Sequence, residues 1–108
     1  RQAEAFENTK ARLPELARLV SDEDWTFTRN LIHGPMQDLG REMLFINQNL
    51  DRSERKNADK LARSLKDALA GLDEAARLQD AGQMQKAYSN LAASFDAYSD
   101  VIPAEALS

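Results

Sequence analysis

A single amphipathic pattern runs through residues 25–50, WTFTRNLIHGPMQDLGREMLFINQNL. Its apolar side chains recur at gaps of three, four and seven residues, which places them along one side of an α-helix. These side chains are Trp25, Ile32, Met36, Leu39, Met43, Ile46 and Leu50. Just before them, Ser21 and Asp24 have the spacing of a capping box, and the acidic residues there suit the positive end of a helix. We therefore predict one long helix over about residues 22–49.

Three other stretches show the same periodicity, and we predict helices over about residues 2–20, 53–78 and 83–101. Pro14 lies inside the first of them and lacks a backbone N–H, so we expect a bend or a restart near Leu13. Asp51 or Ser53 can cap the third helix, and residues 80–82 form the break before the fourth.

Each predicted helix has only one apolar stripe and cannot be stable alone, whereas four stripes that face inward bury one another. Connections of a few residues make neighbouring helices antiparallel. Residues that favour helices abound in the chain, while the β-branched residues that a sheet prefers are scarce. We predict an all-α fold, with a single domain over residues 1–108 that forms an up-down-up-down antiparallel four-helix bundle.

Composition excludes several classes of protein. With 43% hydrophobic and 30% charged residues, the chain has the balance of an ordinary folded domain. The net charge of −4 argues against a general nucleic-acid binder, and no stretch approaches the roughly 18 apolar residues of a membrane span. The absence of cysteine excludes disulfides, thiolate zinc sites and covalently attached haem. Because neither a nucleophilic triad nor a glycine-rich phosphate loop is present, we predict that the chain is not an enzyme.

The only histidine, His33, is the candidate metal ligand. A di-iron bundle requires Glu-x-x-His pairs, but Asn30 stands three positions before His33. Haem ligation by His33 with Met36 or Met43 has no second signal to support it. His33 is then either a packed or hydrogen-bonded residue beside a helix irregularity, or an opportunistic zinc ligand.

The pair Gly34-Pro35 interrupts the long amphipathic pattern. Pro35 cannot bond the carbonyl of Leu31, and its ring crowds that carbonyl. One interpretation is a tolerated kink that wraps the helix around the core; the other is a bent, partly opened backbone presented to a partner. Trp25 and Phe27 likewise either pack at the end of the bundle or form an exposed anchor.

Charge is unevenly distributed along the chain. Between residues 51 and 66 the basic side chains are Arg52, Arg55, Lys56, Lys60, Arg63 and Lys66. This basic face is either simply solvated or an electrostatic docking face for an acidic partner. Nucleic acid is not favoured, because no aromatic residues interleave the basic ones. Our candidate docking residues are Arg29, Asn30 and His33 near the bend, and Arg52, Arg55, Lys56 and Lys60 on the basic face.

The run WTFTRNLIHGPM at residues 25–36, with the apolar positions that follow it, resembles the second-helix signature of the PsbQ family. It is most similar to the cyanobacterial type of that family. The resemblance extends over nearly the whole chain, through the Leu13-Pro14-Glu15-Leu16 element and the Tyr88, Phe95 and Tyr98 positions of the last helix.

The resemblance implies an extrinsic, non-catalytic subunit that docks on photosystem II in the thylakoid lumen. Such a subunit contacts the photosystem II core and the other extrinsic subunits, and stabilises the oxygen-evolving complex and its calcium and chloride requirement without ligating the metal cluster. It is a monomer when isolated, needs no cofactor beyond adventitious zinc, and touches the membrane only through a lipid anchor on a cysteine that these residues do not contain. The alternative is a zinc- or copper-binding helical bundle of the thylakoid lumen, with its site around His33.

Overall fold

The computed structural model describes residues 2–103, and within that range it contains helices and turns but no strand. The all-α prediction is therefore confirmed. The helices are α1 (Gln2–Lys10), α2 (Leu13–Ser21), α3 (Trp25–His33), α4 (Leu39–Gln48), α5 (Arg52–Arg77) and α6 (Ala81–Val101). None of them has the length and apolarity to cross a membrane.

The first predicted helix is divided into two. Ala11 and Arg12 form a turn, and α2 begins at Leu13. Pro14 lies in the first turn of α2, where a backbone N–H has no partner within the helix and its absence costs little. The restart that Pro14 predicted near Leu13 is confirmed.

The prediction of one continuous helix over residues 22–49 is wrong, because residues 34–38 form turns between α3 and α4. The predicted start is also wrong, since Ser21 is the last residue of α2. Asp24 is the cap of α3, and its carboxylate accepts the N–H of Phe27 at 3.0 Å. The apolar pattern persists through the interruption because the residues on both sides of it face the same core.

The sharp turn between α5 and α6 depends on two residues. Gln79 has φ 56, and the N–H of Asp80 bonds the carbonyl of Ala75 at 3.0 Å, the arrangement with which a left-handed residue ends a helix. Asp80 then caps α6, as Asp51 caps α5. Gly82, which we placed in the break, lies in the first turn of α6.

The core is built from the apolar faces of all six helices in the described range. Helices α5 and α6 form the most extensive helix–helix contact. Helices α3 and α4 pack on α5, α1 packs on α4, and α2 packs on α3 and α6. The Phe6 ring of α1 lies 5.9 Å from that of Phe95 and 5.3 Å from that of Tyr98, both on α6. These aromatic contacts close the core between the first and last helices.

A buried amide ties α4 to both long helices. Asn47, which is 2% exposed, donates from Nδ2 to a carboxylate oxygen of Asp59 on α5 at 2.9 Å. Its Oδ1 accepts the hydroxyl of Tyr98 on α6 at 2.6 Å. Burial raises the pKa of Tyr98 well above its ordinary value, and the charge of Asp59 acts in the same direction. The tyrosine therefore remains a hydrogen-bond donor.

A buried carboxyl ties α4 to α1. Glu42 is 5% exposed, and its Oε1 lies 2.8 Å from the hydroxyl of Thr9. That hydroxyl also lies 3.0 Å from the carbonyl of Ala5, and its single proton can serve only one of the two acceptors. When Glu42 is protonated, it donates to Thr9 and Thr9 donates to Ala5, so that every group is satisfied. Burial raises the pKa of Glu42, which favours this protonated arrangement.

Candidate docking surface

The bend presents two basic side chains one turn apart on α3, and both bind a single carboxylate. Arg29 Nε lies 3.1 Å and His33 Nε2 lies 2.9 Å from Oδ1 of Asp73 on α5. The side chain of Asp73 is 22% exposed, whereas that of His33 is 60% exposed. The structure therefore brings two of the predicted docking residues together and fixes them against α5, with the imidazole facing solvent.

A close backbone approach explains the glycine at the bend. A Cβ on Gly34 would lie 2.9 Å from the carbonyl oxygen of Asn30, closer than real Cβ atoms come to a backbone atom. Beyond it, the N–H of Met36 bonds the carbonyl of Leu31 at 3.1 Å and closes the turn. Pro35 is exposed and its missing N–H leaves no bond unmade there.

Replacing Gly34 with alanine is expected to lower the free energy of unfolding by about 1 kcal/mol, near the small end of the overpacking range, because a turn can shift more easily than a helix. Urea unfolding measures this change. The matched control is Gly71→Ala, since a Cβ on Gly71 meets nothing within 4 Å; there, alanine should stabilise α5. Equal effects at the two glycines would contradict the close approach at the bend.

Next to the bend lies an open groove of about 360 Å³ between the α3–α4 turn and α5. We call it the bend groove. Its apolar lining includes Ile32, Met36, Leu39, Leu69 and Ala70, and its polar lining includes His33, Lys66 and Asp73. The first three apolar residues are also part of the core. The groove is therefore a shallow opening onto the core, bordered by charge.

The basic side chains of the α5 docking set differ in whether they have partners within residues 2–103. Arg52, Lys56 and Lys60 are exposed. Arg55 instead donates to the carbonyls of Gln48 at 3.2 Å and Leu50 at 3.1 Å, so it satisfies carbonyls at the end of α4 that have no helical partner. The sequence pattern could not separate Arg55 from its neighbours, because only the folded chain places the end of α4 beside it.

The two predicted docking sets do not form one site. Asp73, which holds Arg29 and His33, lies roughly 30 Å along α5 from Arg52, at about 1.5 Å per residue. Between them the exposed side chains of Arg63 and Lys66 continue the basic face towards the bend groove. Sequence reasoning missed Asp73. A usable signal was present, because Asp73 lies beside the apolar stripe of α5 and can face a neighbouring helix that carries Arg29 and His33.

Asn30 lies apart from the Arg29–His33 pair. It lines a second groove, of about 380 Å³, between α2 and α3 together with Phe27 and Pro35. Phe27 is 60% exposed, so it is not a core residue, whereas Trp25 is half-buried against the core. Of the two residues that we considered as an exposed anchor, only Phe27 is freely accessible.

Within residues 2–103, no three histidine, cysteine, aspartate or glutamate side chains come together as a metal site. His33 has Asp73 beside it, but the same carboxylate oxygen is also bound by Arg29. The zinc prediction for His33 remains a prediction.

The chain matches the model of the PsbQ family, described as oxygen evolving enhancer protein 3, over residues 1–103. It belongs to the PsbQ family. A relative named CyanoQ, from Synechocystis sp. (strain ATCC 27184 / PCC 6803 / Kazusa), is 32% identical over 88 residues, which are 82% of this chain and 59% of the relative. This PsbQ-family chain therefore spans about three fifths of that relative's length.

These two comparisons confirm the resemblance to the PsbQ family and to its cyanobacterial type. PsbQ is a family of non-catalytic proteins, and the prediction that the chain is not an enzyme is confirmed by its membership.

Proposed function

We propose that this chain is an extrinsic subunit that docks on the lumenal side of photosystem II, where it contacts the core and the other extrinsic subunits. The observation that carries the proposal is the family match over residues 1–103. The outward basic face of α5 gives the docking a physical basis, since the chain as a whole carries a net charge of −4 and an acidic partner surface would otherwise repel it.

Docking would stabilise the oxygen-evolving complex and its calcium and chloride requirement without any metal ligand from this chain. A protein that binds only the assembled complex shifts the equilibrium against disassembly by mass action. The isolated chain is then a monomer that needs no cofactor, and any lipid anchor on the membrane lies outside these residues.

For the fold we propose the up-down-up-down four-helix bundle, as one domain over residues 1–108, with α1–α2 and α3–α4 as its two divided rods. The register of the cross-helix bonds supports this arrangement. Lys10 donates to Ser99 at 3.0 Å and Tyr88 donates to the carbonyl of Leu13 at 3.2 Å, so α6 runs antiparallel to the first rod. Residue 1 and residues 104–108 lie outside the described range.

The proposal is tested by adding the chain back to photosystem II core particles that have been stripped of their extrinsic proteins. We expect it to sediment with the particles and to restore oxygen evolution most strongly when calcium or chloride is limiting. Normal oxygen evolution without the chain under that depletion would contradict the stabilising role, and failure to sediment with the particles would contradict docking itself.

Charge reversals on the basic face should weaken docking. We expect Lys56→Glu or Lys60→Glu to reduce affinity for the stripped particles about fivefold at low salt and less at high salt, because exposed charges are screened. Lys86→Glu is the matched control, since Lys86 is an exposed lysine on α6. Equal weakening by all three reversals would show that only net charge matters.

Zinc should bind weakly at His33. The imidazole is 60% exposed and its neighbour Asp73 also binds Arg29, so a zinc ion would find one free protein ligand where a structural site needs four. Calorimetry of zinc and copper with the chain and with His33→Ala should show millimolar binding in both. Micromolar binding that is lost in the variant would instead support the alternative function of a metal-binding protein.

A further inference from the structure

The bend groove has the size of a receptor for one large side chain. Its volume of about 360 Å³ is near the lower end of the range of ligand pockets, roughly 300–1,000 Å³. It is also larger than the cavity of about 150 Å³ that holds benzene in an engineered core. Its volume therefore leaves room for one large apolar side chain, such as leucine, methionine or phenylalanine.

The lining of the bend groove favours an apolar occupant. Its floor is formed by Ile32, Met36 and Leu39, which are 6%, 0% and 1% exposed. On the α5 side, Leu69 is half-buried and Ala70 is exposed. Met36 and Leu39 are covered, so the apolar surface of the groove that faces water is mainly that of Leu69 and Ala70. An apolar side chain that entered would remove this surface and its own from water.

The edge of the bend groove is positively charged. Lys66 forms no ion pair within residues 2–103, and its aliphatic stem lies over Gly40, where a Cβ would be 3.0 Å from Lys66 Cδ. Arg63 is exposed one turn earlier. The one carboxylate in the lining, Asp73, is already bound by Arg29 and His33. An acidic partner segment complements this edge, and a basic segment does not.

We propose that the bend groove receives one bulky apolar side chain carried on an acidic segment of the partner's surface. The inference rests on the proposed function, since the partner is the photosystem II surface. It adds where on this chain the partner docks and which kind of side chain the partner inserts. The basic face of α5 runs into the groove through Arg63 and Lys66, so one partner surface reaches both. An apolar anchor in a pocket with polar surroundings that exclude water is the arrangement that dominates binding energy at protein interfaces.

Filling the bend groove tests the proposal. Ala70→Leu places a side chain over the groove from an exposed helical position, and it should weaken binding to the stripped particles about tenfold, the effect of losing one anchor contact. Ala93→Leu is the matched control, because Ala93 is exposed on α6 and lines none of the grooves described above; it should leave binding unchanged. Circular dichroism and thermal unfolding should show both variants folded.

The edge charge is tested independently, so that a folding defect in Ala70→Leu would not decide the question. Lys66→Glu should weaken binding at low salt more than Lys86→Glu does, and the difference should shrink as salt is raised.

Stripped particles that bind wild type and Ala70→Leu equally would overturn the groove and leave the docking function intact. Particles that do not bind wild type would overturn both. An isolated wild type that is a dimer, and becomes a monomer on Ala70→Leu, would show that a second copy fills the groove and would overturn the acidic partner.

Discussion

Replacing Asn47 with leucine is expected to lower the free energy of unfolding by about 2–3 kcal/mol, since it removes the partner of a buried hydroxyl on α6 and of a half-buried carboxylate on α5. Leucine has nearly the shape of asparagine but neither donates nor accepts. The hydroxyl of Tyr98, 2.6 Å from Asn47 Oδ1, would keep only the carbonyl of Met43 at 3.4 Å, and Asp59 would lose its amide donor. Urea unfolding at neutral pH measures the loss.

A double-mutant cycle separates the stranded hydroxyl from the other effects of Asn47→Leu. Tyr98→Phe alone should cost about 1 kcal/mol, and adding it to Asn47→Leu should cost almost nothing more, because the hydroxyl has already lost its closer acceptor. Asn90→Leu, at an exposed position of α6, is the control for the substitution itself and should change stability little. Strict additivity of the two core changes would show that Asn47 and Tyr98 do not depend on each other.

Replacing Glu42 with glutamine is expected to raise the free energy of unfolding at neutral pH by about 1–3 kcal/mol, since it removes a buried carboxylate that has no basic partner within the core. Burial raises the pKa of Glu42 most strongly and Asp38 adds to it, while the bond from Thr9 and the charge of Arg41 lower it. Glutamine can donate to Thr9 as the protonated acid does, and the bond from Thr9 to Ala5 is then kept.

The pH dependence fixes the sign of the Glu42 effect. The folded chain holds the Glu42 proton more tightly than the unfolded chain does, so stability is lost as pH rises from the ordinary glutamate pKa of about 4.3 through the raised pKa of the folded state. The advantage of Glu42→Gln over wild type should therefore grow between about pH 4 and pH 7. Glu7→Gln, at an exposed position of α1, should show no such growth. A constant difference between wild type and Glu42→Gln would mean that folding does not change the pKa of Glu42, which would contradict the effect of burial.

The helical fold was predictable because each helix carries a repeating apolar stripe, and the cap residues Asp24, Asp51 and Asp80 stand at helix starts. The interruption at residues 34–38 was predicted only as a kink or a bent, partly opened stretch of one continuous helix. The apolar spacing continues across Gly34-Pro35 whether the helix bends or stops, since both conformations leave the same residues facing the core. Local backbone contacts, such as that between Gly34 and Asn30, decide between them and leave no trace in the periodicity.

The candidate surface was predictable for the residues that share one helix and not for their partners. The spacing of Arg29 and His33 already placed them on one face of α3. Their common partner Asp73 and the engagement of Arg55 with the end of α4 depend on how two antiparallel helices align. Asn30 was grouped with Arg29 by adjacency, but adjacent residues on a helix face different directions, and Asn30 lines the groove towards α2.

The division of the first half of the chain into short helices affects how the molecule opens. Helices α1, α2 and α3 have nine residues each, below the roughly 12–15 residues that an isolated helix needs in water. Their amides therefore depend on packing for protection from hydrogen exchange, whereas we expect the long, mutually packed helices α5 and α6 to exchange most slowly. A partner side chain held between the α3–α4 turn and α5 joins the less stable half to the more stable one. Partner binding and closure of the less stable half are then coupled, and each favours the other by the same factor. Slower hydrogen exchange in α1, α2 and α3 on binding would measure that coupling.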